Sequence, residues 1–323
     1  MTLRIYLMAS LLFITSEIIQ AGTVLVAPTK ITEDDYRFNS ASCGLQLDVN
    51  PKIGGRIAQL TFEKHIVVMP YACHGDSYDG RAACNGSGST FWTSPQRAWP
   101  VASWPPVASL DGGTYSVQLK RKHLVLTSAS DEALGANVEK DISIDESRCA
   151  VNLRYTINAA RSVQLAPWEI TRVPRGGIAL FPVGETSKFA AGPLAPRITI
   201  STDAAIAWFD DTNSPTLNSV GGAKLIADGR DGWLAYVRDK TLFLKKFADV
   251  AAEAIAPNEG DVEIYPGDDF LELEVQGRFT SLKQYEQLPW NVEWRVVKVP
   301  KSVKIAVGSE SLLKFVRDEL GIH

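Results

Sequence analysis

Histidine and cysteine are scarce in this chain, four of each in 323 residues. His323 is terminal, which leaves His65, His74 and His123 inside the body of the sequence. A lone histidine with no partner at a matching spacing is more often an ordinary surface or core residue than a catalyst. Several motif chemistries are missing outright. The chain has no phosphate-cradling glycine loop, no dinucleotide glycine fingerprint, no HExxH zinc helix and no GxSxG nucleophile elbow. No basic run or basic helix is present and the net charge is −4, so nucleic acid is not an expected partner. Nothing in the sequence calls for a cofactor.

Long apolar runs are also lacking beyond the first residues. "MTLRIYLMASLLFITSEIIQAGT" has a positive start at Arg4 and an apolar run from Ile5 to Ile14. That is the layout of a secretory signal peptide over residues 1–21, cleaved after Ala21, although Ile19 is a poor residue at the −3 position. The expected mature chain is secreted or periplasmic and has no transmembrane segment. In an oxidising compartment an even number of cysteines reads as disulfides, here Cys73–Cys84 across a short loop and Cys43–Cys149 between strand-like segments. The competing reading is a metal held by Cys73, His74 and Cys84, which lacks a fourth ligand at a zinc-like spacing. Asn85-Gly86-Ser87 is either a glycan acceptor or a tight Asn-Gly turn.

Strand signals fill the rest. "GLQLDV" (44–49) alternates apolar and polar residues, "RIAQLTF" (56–62) does so less regularly, and "NPKIGG" supplies a turn between them. Residues 137–157 read as a hairpin with "DESR" at its tip. Turn residues punctuate the later strands roughly every ten residues, the pattern of an all-β sandwich or barrel. The expected organisation is one β domain over 22–308 followed by a helix over 309–323. In that helix Leu312, Leu313, Val316 and Leu320 share a face and Gly321 ends it.

Two places concentrate chemistry. In "DFLELEVQG" (269–277), Glu272 and Glu274 lie two apart on a strand and share one face, with Leu271, Leu273 and Val275 on the other, core-facing side. Paired carboxylates on a sheet face suit sugar binding or proton transfer; a solvated surface is the plainer reading. "APWEITRVPRGG" (166–177) offers Trp168, Glu169, Arg172 and Arg175 in similar fashion. The stretch Gly88 to Pro106 holds three Trp, one Phe and four Pro in nineteen residues. Its prolines predict a stiff extended loop. Trp92 and Trp99 bracket the polar pair Gln96-Arg97 and are the expected sugar-facing rings, with others buried as core.

The order of these features resembles that of galactose mutarotase-like proteins. "LQLDVNPKIGGRIAQLTF" (45–62) is similar to their opening hairpin, and its Arg56 joins the expected sugar contacts. "GSTFWTSPQ" with a following "WPP", "PWEITRVPRGGIALFPVG", and "DVEIYPGDDFLELEVQG" followed by a "VEW" strand look like signatures of the DUF4380 branch. The resemblance covers most of residues 40 to 298. It implies a β-supersandwich with a concave carbohydrate-binding cleft. In aldose 1-epimerases of this kind a late Glu takes the anomeric proton and a mid-chain His protonates the ring oxygen. Glu274, or else Glu272, is the position most similar to that base. The His is absent: the matching region reads "PWEITR", leaving Glu169 or His74 as the available acid. Two functions follow. One is a carbohydrate-binding protein using Arg56, Trp92, Gln96, Arg97, Trp99, Trp168, Arg172 and Glu272. The other is an epimerase-like isomerase with Glu274 as base and Glu169 as acid.

Overall fold

The computed structural model describes residues 23–70, 77–78, 81–82, 87–99, 106–184, 188–201, 205–212 and 223–322. The signal segment, the Cys73–Cys84 bridge with its metal alternative, and the Asn85 acceptor lie outside the described residues. Among those residues, no helix is long and apolar enough to cross a membrane.

Two antiparallel sheets make the body. The first runs Ser116–Lys120, His123–Thr127, Ala136–Asp145, Ala150–Ala159, Gln287–Lys298, Thr241–Phe247, Trp233–Arg238, Ile178–Pro182, Ile206–Asp210 and Ile198–Ser201, with Leu25–Val26 on Ala136–Asp145. The second runs Leu225–Ala227, Val262–Pro266, Phe270–Gln276, Val163–Pro174, Ser89–Ser94, Arg56–Phe62, Leu45–Asn50, Tyr36–Ser40 and Thr29–Lys30. The predicted 137–157 hairpin forms, pairing Asp145 with Ala150 across a turn that contains Ser147 and Arg148.

The core lies between the sheets. Phe91 of the second sheet stacks on Tyr155 of the first at 4.7 Å between ring centroids. Leu271, Leu273 and Val275 are buried, as the period of two requires. A second apolar cluster covers the outer side of the first sheet, where the helix Glu310–Leu320 sets Leu312, Leu313, Val316 and Leu320 with Trp208, Trp233, Leu242 and Leu244. Its ends follow from local chemistry. The Ser309 hydroxyl accepts from the Leu312 N–H, and Gly321 closes the helix at φ 71°, where a side chain would be strained.

The Cys43–Cys149 disulfide is present, with Cα atoms 5.4 Å apart. It joins the loop after Tyr36–Ser40 in the second sheet to the hairpin turn of the first.

The aromatic stretch departs from expectation. Ser89–Ser94 is an interior strand, paired with Val163–Pro174 on one side and touching Arg56–Phe62 on the other. The physical reason is where the prolines fall: all four follow Ser94, so every residue of the strand keeps its N–H donor. Only the part after Ser94 leaves the sheet, through a 3-10 turn at Gln96–Ala98.

Candidate functional site

The register of the second sheet decides which side chains can meet. Glu169 points into the inter-sheet core. Its carboxylate accepts hydrogen bonds from Tyr155 Oη (2.7 Å) and Trp294 Nε1 (3.0 Å) and pairs with Lys245 Nζ (2.8 Å), all from the first sheet. Alternation then turns Trp168, Ile170 and Arg172 to the outer face. Directly opposite residues of an antiparallel ladder share a face. Gln276 stands across from Trp168, Glu274 from Ile170 and Glu272 from Arg172. On the other neighbour, Trp92 stands across from Trp168 and Thr90 from Ile170. One strand further, Glu263 stands across from Glu274. The outer face therefore gathers two indoles, one guanidinium, three carboxyl groups and an amide.

Contacts knit these groups together. Glu274 Oε2 accepts from Trp168 Nε1 and from Lys224 Nζ, both at 2.8 Å. Lys224 also pairs with Glu263 and lies over the Trp168 ring, 4.6 Å from its centroid. Gln276 Nε2 donates to Glu263 Oε1 at 3.0 Å. Arg172 donates through Nε to Glu272 Oε1 at 3.0 Å and stacks over Trp92. Trp92 donates to Asp111 Oδ1 at 2.9 Å, which also pairs with Arg56 at 2.9 Å. Asp111 can reach this position because it ends the short helix Ala108–Asp111 against Gly54. A Cβ on Gly54 would lie 2.2 Å from the Asp111 carbonyl oxygen. Several buried polar atoms of this face have no hydrogen-bond partner, among them Glu274 Oε1, Gln276 Oε1 and Arg172 Nη1, while Arg172 Nη2 and Glu263 Oε2 meet only their ion-pair partners. A native structure satisfies nearly all such atoms, so their grouping on one face marks it out.

The electrostatics are those of crowded acids. Burial, reinforced by Glu274 and Glu259 against the pull of Lys224, pushes the Glu263 carboxyl up to about 8. Burial also lifts Glu272 to about 7 despite Arg172. Glu259, buried and accepting the Gln96 N–H at 2.7 Å, is raised for the same first reason. Asp111 goes the other way: burial alone would raise it, but Arg56, the Trp92 indole and Arg172 together hold it below its usual value. Among the described residues, no three His, Cys, Asp or Glu side chains converge as a metal site.

Of the residues singled out from sequence, the structure brings Arg56, Trp92, Trp168, Arg172, Glu272 and Glu274 to one face. It does not bring Glu169 there, so Glu169 and Glu274 cannot act on one substrate from the same side of the sheet. Trp99 is buried, tilted against Trp168 with centroids 5.9 Å apart and edge-on to Trp92 at 5.4 Å. The three indoles thus pack on one another, and the expected free-standing ring platform is absent among the described residues. The Arg97 side chain is exposed, while Gln96 meets the acidic group through its backbone. Arg175 belongs elsewhere, bound to Asp211. Sequence reasoning missed Glu263, Gln276, Glu259, Asp111 and Lys224. Glu263 had a usable signal, since "DVEIYP" alternates in phase with "DFLELEVQG".

No curated protein is similar to this chain in sequence. Among solved structures, the Slr1438 protein of Synechocystis matches with a TM-score of 0.54 at 10% identity, over 86% of this chain and 99% of that one. A galactose mutarotase-like protein of Clostridium acetobutylicum matches at 0.52 and 10%, over 86% and 99%. A TPR-domain containing protein of Parabacteroides distasonis matches at 0.55 and 10%, over 84% of this chain but 49% of that one. At such identities the likeness is one of fold, a galactose mutarotase-like β-supersandwich closed by a short C-terminal helix. The model of a domain of unknown function, DUF4380, matches residues 37–297, so the chain belongs to the DUF4380 family.

Proposed function

We propose that this protein binds a carbohydrate on the outer face of the second sheet. The observation that carries the reading is the set of unpartnered buried polar atoms, Glu274 Oε1, Gln276 Oε1 and Arg172 Nη1, beside the Trp92 and Trp168 rings. Sugars present alternating hydroxyl donors and acceptors around an apolar ring face, and this buried side of the sheet groups acceptors, a donor and packed indoles together. The galactose mutarotase-like fold supports the same class of ligand. Export is part of the proposal: the apolar N-terminal run and the Cys43–Cys149 disulfide both suit an oxidising compartment.

A second reading, an epimerase-like isomerase, draws on one pairing. Glu263 faces Glu274 on the neighbouring strand, and its raised carboxyl keeps a proton where Glu274 could act as base. With Glu169 on the far side of the sheet, the acid in this reading is Glu263. The test of binding is a glycan array followed by tryptophan fluorescence titration of any hit. Binding that survives Arg172→Ala and Glu274→Gln unchanged would place the ligand elsewhere and sink the assignment.

A further inference from the structure

We propose that two copies of this chain associate through the edge strand Ser116–Lys120, by antiparallel pairing of the strand with itself. The two large sheets have four end strands, and these differ in how they are protected. Thr29–Lys30 is only two residues long. Leu225–Ala227 is covered, since Ala190 and Ile226 exchange backbone hydrogen bonds at 2.8 and 2.9 Å. Ile198–Ser201 has four residues and follows directly on a turn that contains Pro196. Ser116–Lys120 has five residues, no proline and no shift of register, and all five are exposed. An edge strand turns half of its N–H and C=O groups away from its own sheet, and a regular, uncovered one is a template for another strand.

The sequence of the strand suits a second copy. Val117 stands across from Leu126 and Leu119 across from Leu124, so both share a face with buried core residues, yet they are 38% and 53% exposed. A twofold axis perpendicular to the sheet keeps that face continuous from one copy to the next. An antiparallel register centred on Gln118 uses the whole strand. Val117 then stands across from the partner's Leu119, and Leu119 across from the partner's Val117, so the apolar side chains of both copies extend one layer. Ser116 stands across from the partner's Lys120, so no like charges oppose each other. The basic tips, Lys120 to Lys122, lie at opposite ends of the pair. Each arrives at the end where Ser116 pairs with Thr127, and the loop that follows Thr127 carries the exposed Glu132. Charge is complementary there as well as shape.

The test is sedimentation velocity of the purified protein from about 1 to about 300 μM. A contact this short is expected to give a reversible dimer with a dissociation constant on the order of 10 μM, inside that range. Growth to twice the monomer mass is expected as concentration rises, and Leu119→Lys should weaken it by roughly tenfold or more. Cross-linking reads the register. Directly opposed residues of antiparallel strands have Cα atoms roughly 4.5–5.5 Å apart, within disulfide reach. Gln118→Cys should therefore give a covalent dimer under mild oxidation, whereas Ser116→Cys, across from the partner's Lys120, should not. All three positions are exposed, so the substitutions leave the fold intact. Hydrogen exchange on the unmodified protein gives a further reading: amides within Ser116–Lys120 should gain protection as concentration rises. Protein that stays monomeric across the range would overturn the proposal and leave the edge to a strand of another protein. A dimer indifferent to Leu119→Lys, or cross-linked as readily through Ser116→Cys as through Gln118→Cys, would overturn it by placing the contact elsewhere.

Discussion

Glu169 and Glu274 sit on adjacent strands yet face opposite sides of the second sheet, because Ile170, not Glu169, stands across from Glu274. Glu169 is instead part of a buried pair with Lys245, whose ammonium also donates to Thr171 Oγ1 and to the Leu273 carbonyl. Burial lowers the Lys245 ammonium, with Glu169 opposing that shift. Removing one partner of such a pair strands the other. Glu169→Leu should cost about 3–5 kcal/mol in urea denaturation. Adding Lys245→Met should recover most of the loss, since no buried charge is then unpaired. A Glu169→Leu protein of normal stability would show that the pair is not buried as described.

The indole cluster gives the second prediction. Trp99 is buried and donates through Nε1 to the Thr93 carbonyl at 2.7 Å, while its ring packs on Trp92 and Trp168. Trp99→Ala should therefore lower stability by about 3–5 kcal/mol, the cost of an emptied aromatic position in a core. A loss below 1 kcal/mol together with weakened sugar binding would return Trp99 to the role of an exposed platform.

What the sequence made legible follows from where alternation is clean. "DFLELEVQG" has strict period two, and its carboxyls and leucines separate as read. The C-terminal helix was legible from Leu312, Leu313, Val316 and Leu320 for the analogous reason at period 3.6. Val163–Pro174 is different: every residue from Leu165 to Val173 is buried, so both faces carry large or charged side chains and neither reads as outside. In "PWEITR" the sequence cannot show that Trp168 and Arg172 share a face of the site while Glu169 belongs to the core. The face also depends on Lys224 and Glu263, brought in from separate segments by pairing that no local pattern encodes.

The raised acids make stability depend on pH. Glu272 and Asp261 are pushed to about 7 and Glu263 to about 8, all chiefly by burial, against roughly 4 in an unfolded chain. Between pH 5 and 7 the folded protein therefore holds more protons than the unfolded one. Stability must fall as pH rises through that window, by up to about 1.4 kcal/mol per pH unit for each such group. Lys140, lowered to about 7 mainly by burial, is largely charged in both states below that pH and does not offset the trend there. The melting temperature should thus be higher at pH 5 than at pH 7, and Glu263→Gln should flatten the slope. A wild-type melting temperature that climbs from pH 5 to 7 would contradict this picture.

The Cys43–Cys149 bridge closes a loop with a sequence separation of 106 and ties one sheet to the other. Loop closure of that length predicts that Cys43→Ser/Cys149→Ser loses about 4–5 kcal/mol. Non-reducing peptide mapping should recover the two cysteines in one linked fragment. Recovery of both as free thiols from exported protein would remove the bridge and, with it, one of the two supports for export.

Glu274→Gln separates binding from catalysis. The substitution keeps shape and leaves an acceptor for the Trp168 indole and Lys224, which now hold Glu274 Oε2 at 2.8 Å each. It removes the negative charge and any capacity to take a proton. If the protein only binds sugar, affinity should weaken and no turnover exists to be lost. If it is an isomerase, the variant should still bind but show no interconversion of freshly dissolved α-anomers above the spontaneous rate, by polarimetry or NMR. The loss of a general base is expected to be on the order of 10² to 10⁴ in rate. Glu263→Gln then tests the acid. An amide cannot donate as a carboxylic acid does, yet its oxygen can still accept the Gly260 N–H that now lies 2.7 Å from Glu263 Oε1. Wild-type protein that binds a sugar and leaves every anomer mixture at its uncatalysed rate would remove the isomerase reading and leave binding as the function of this face.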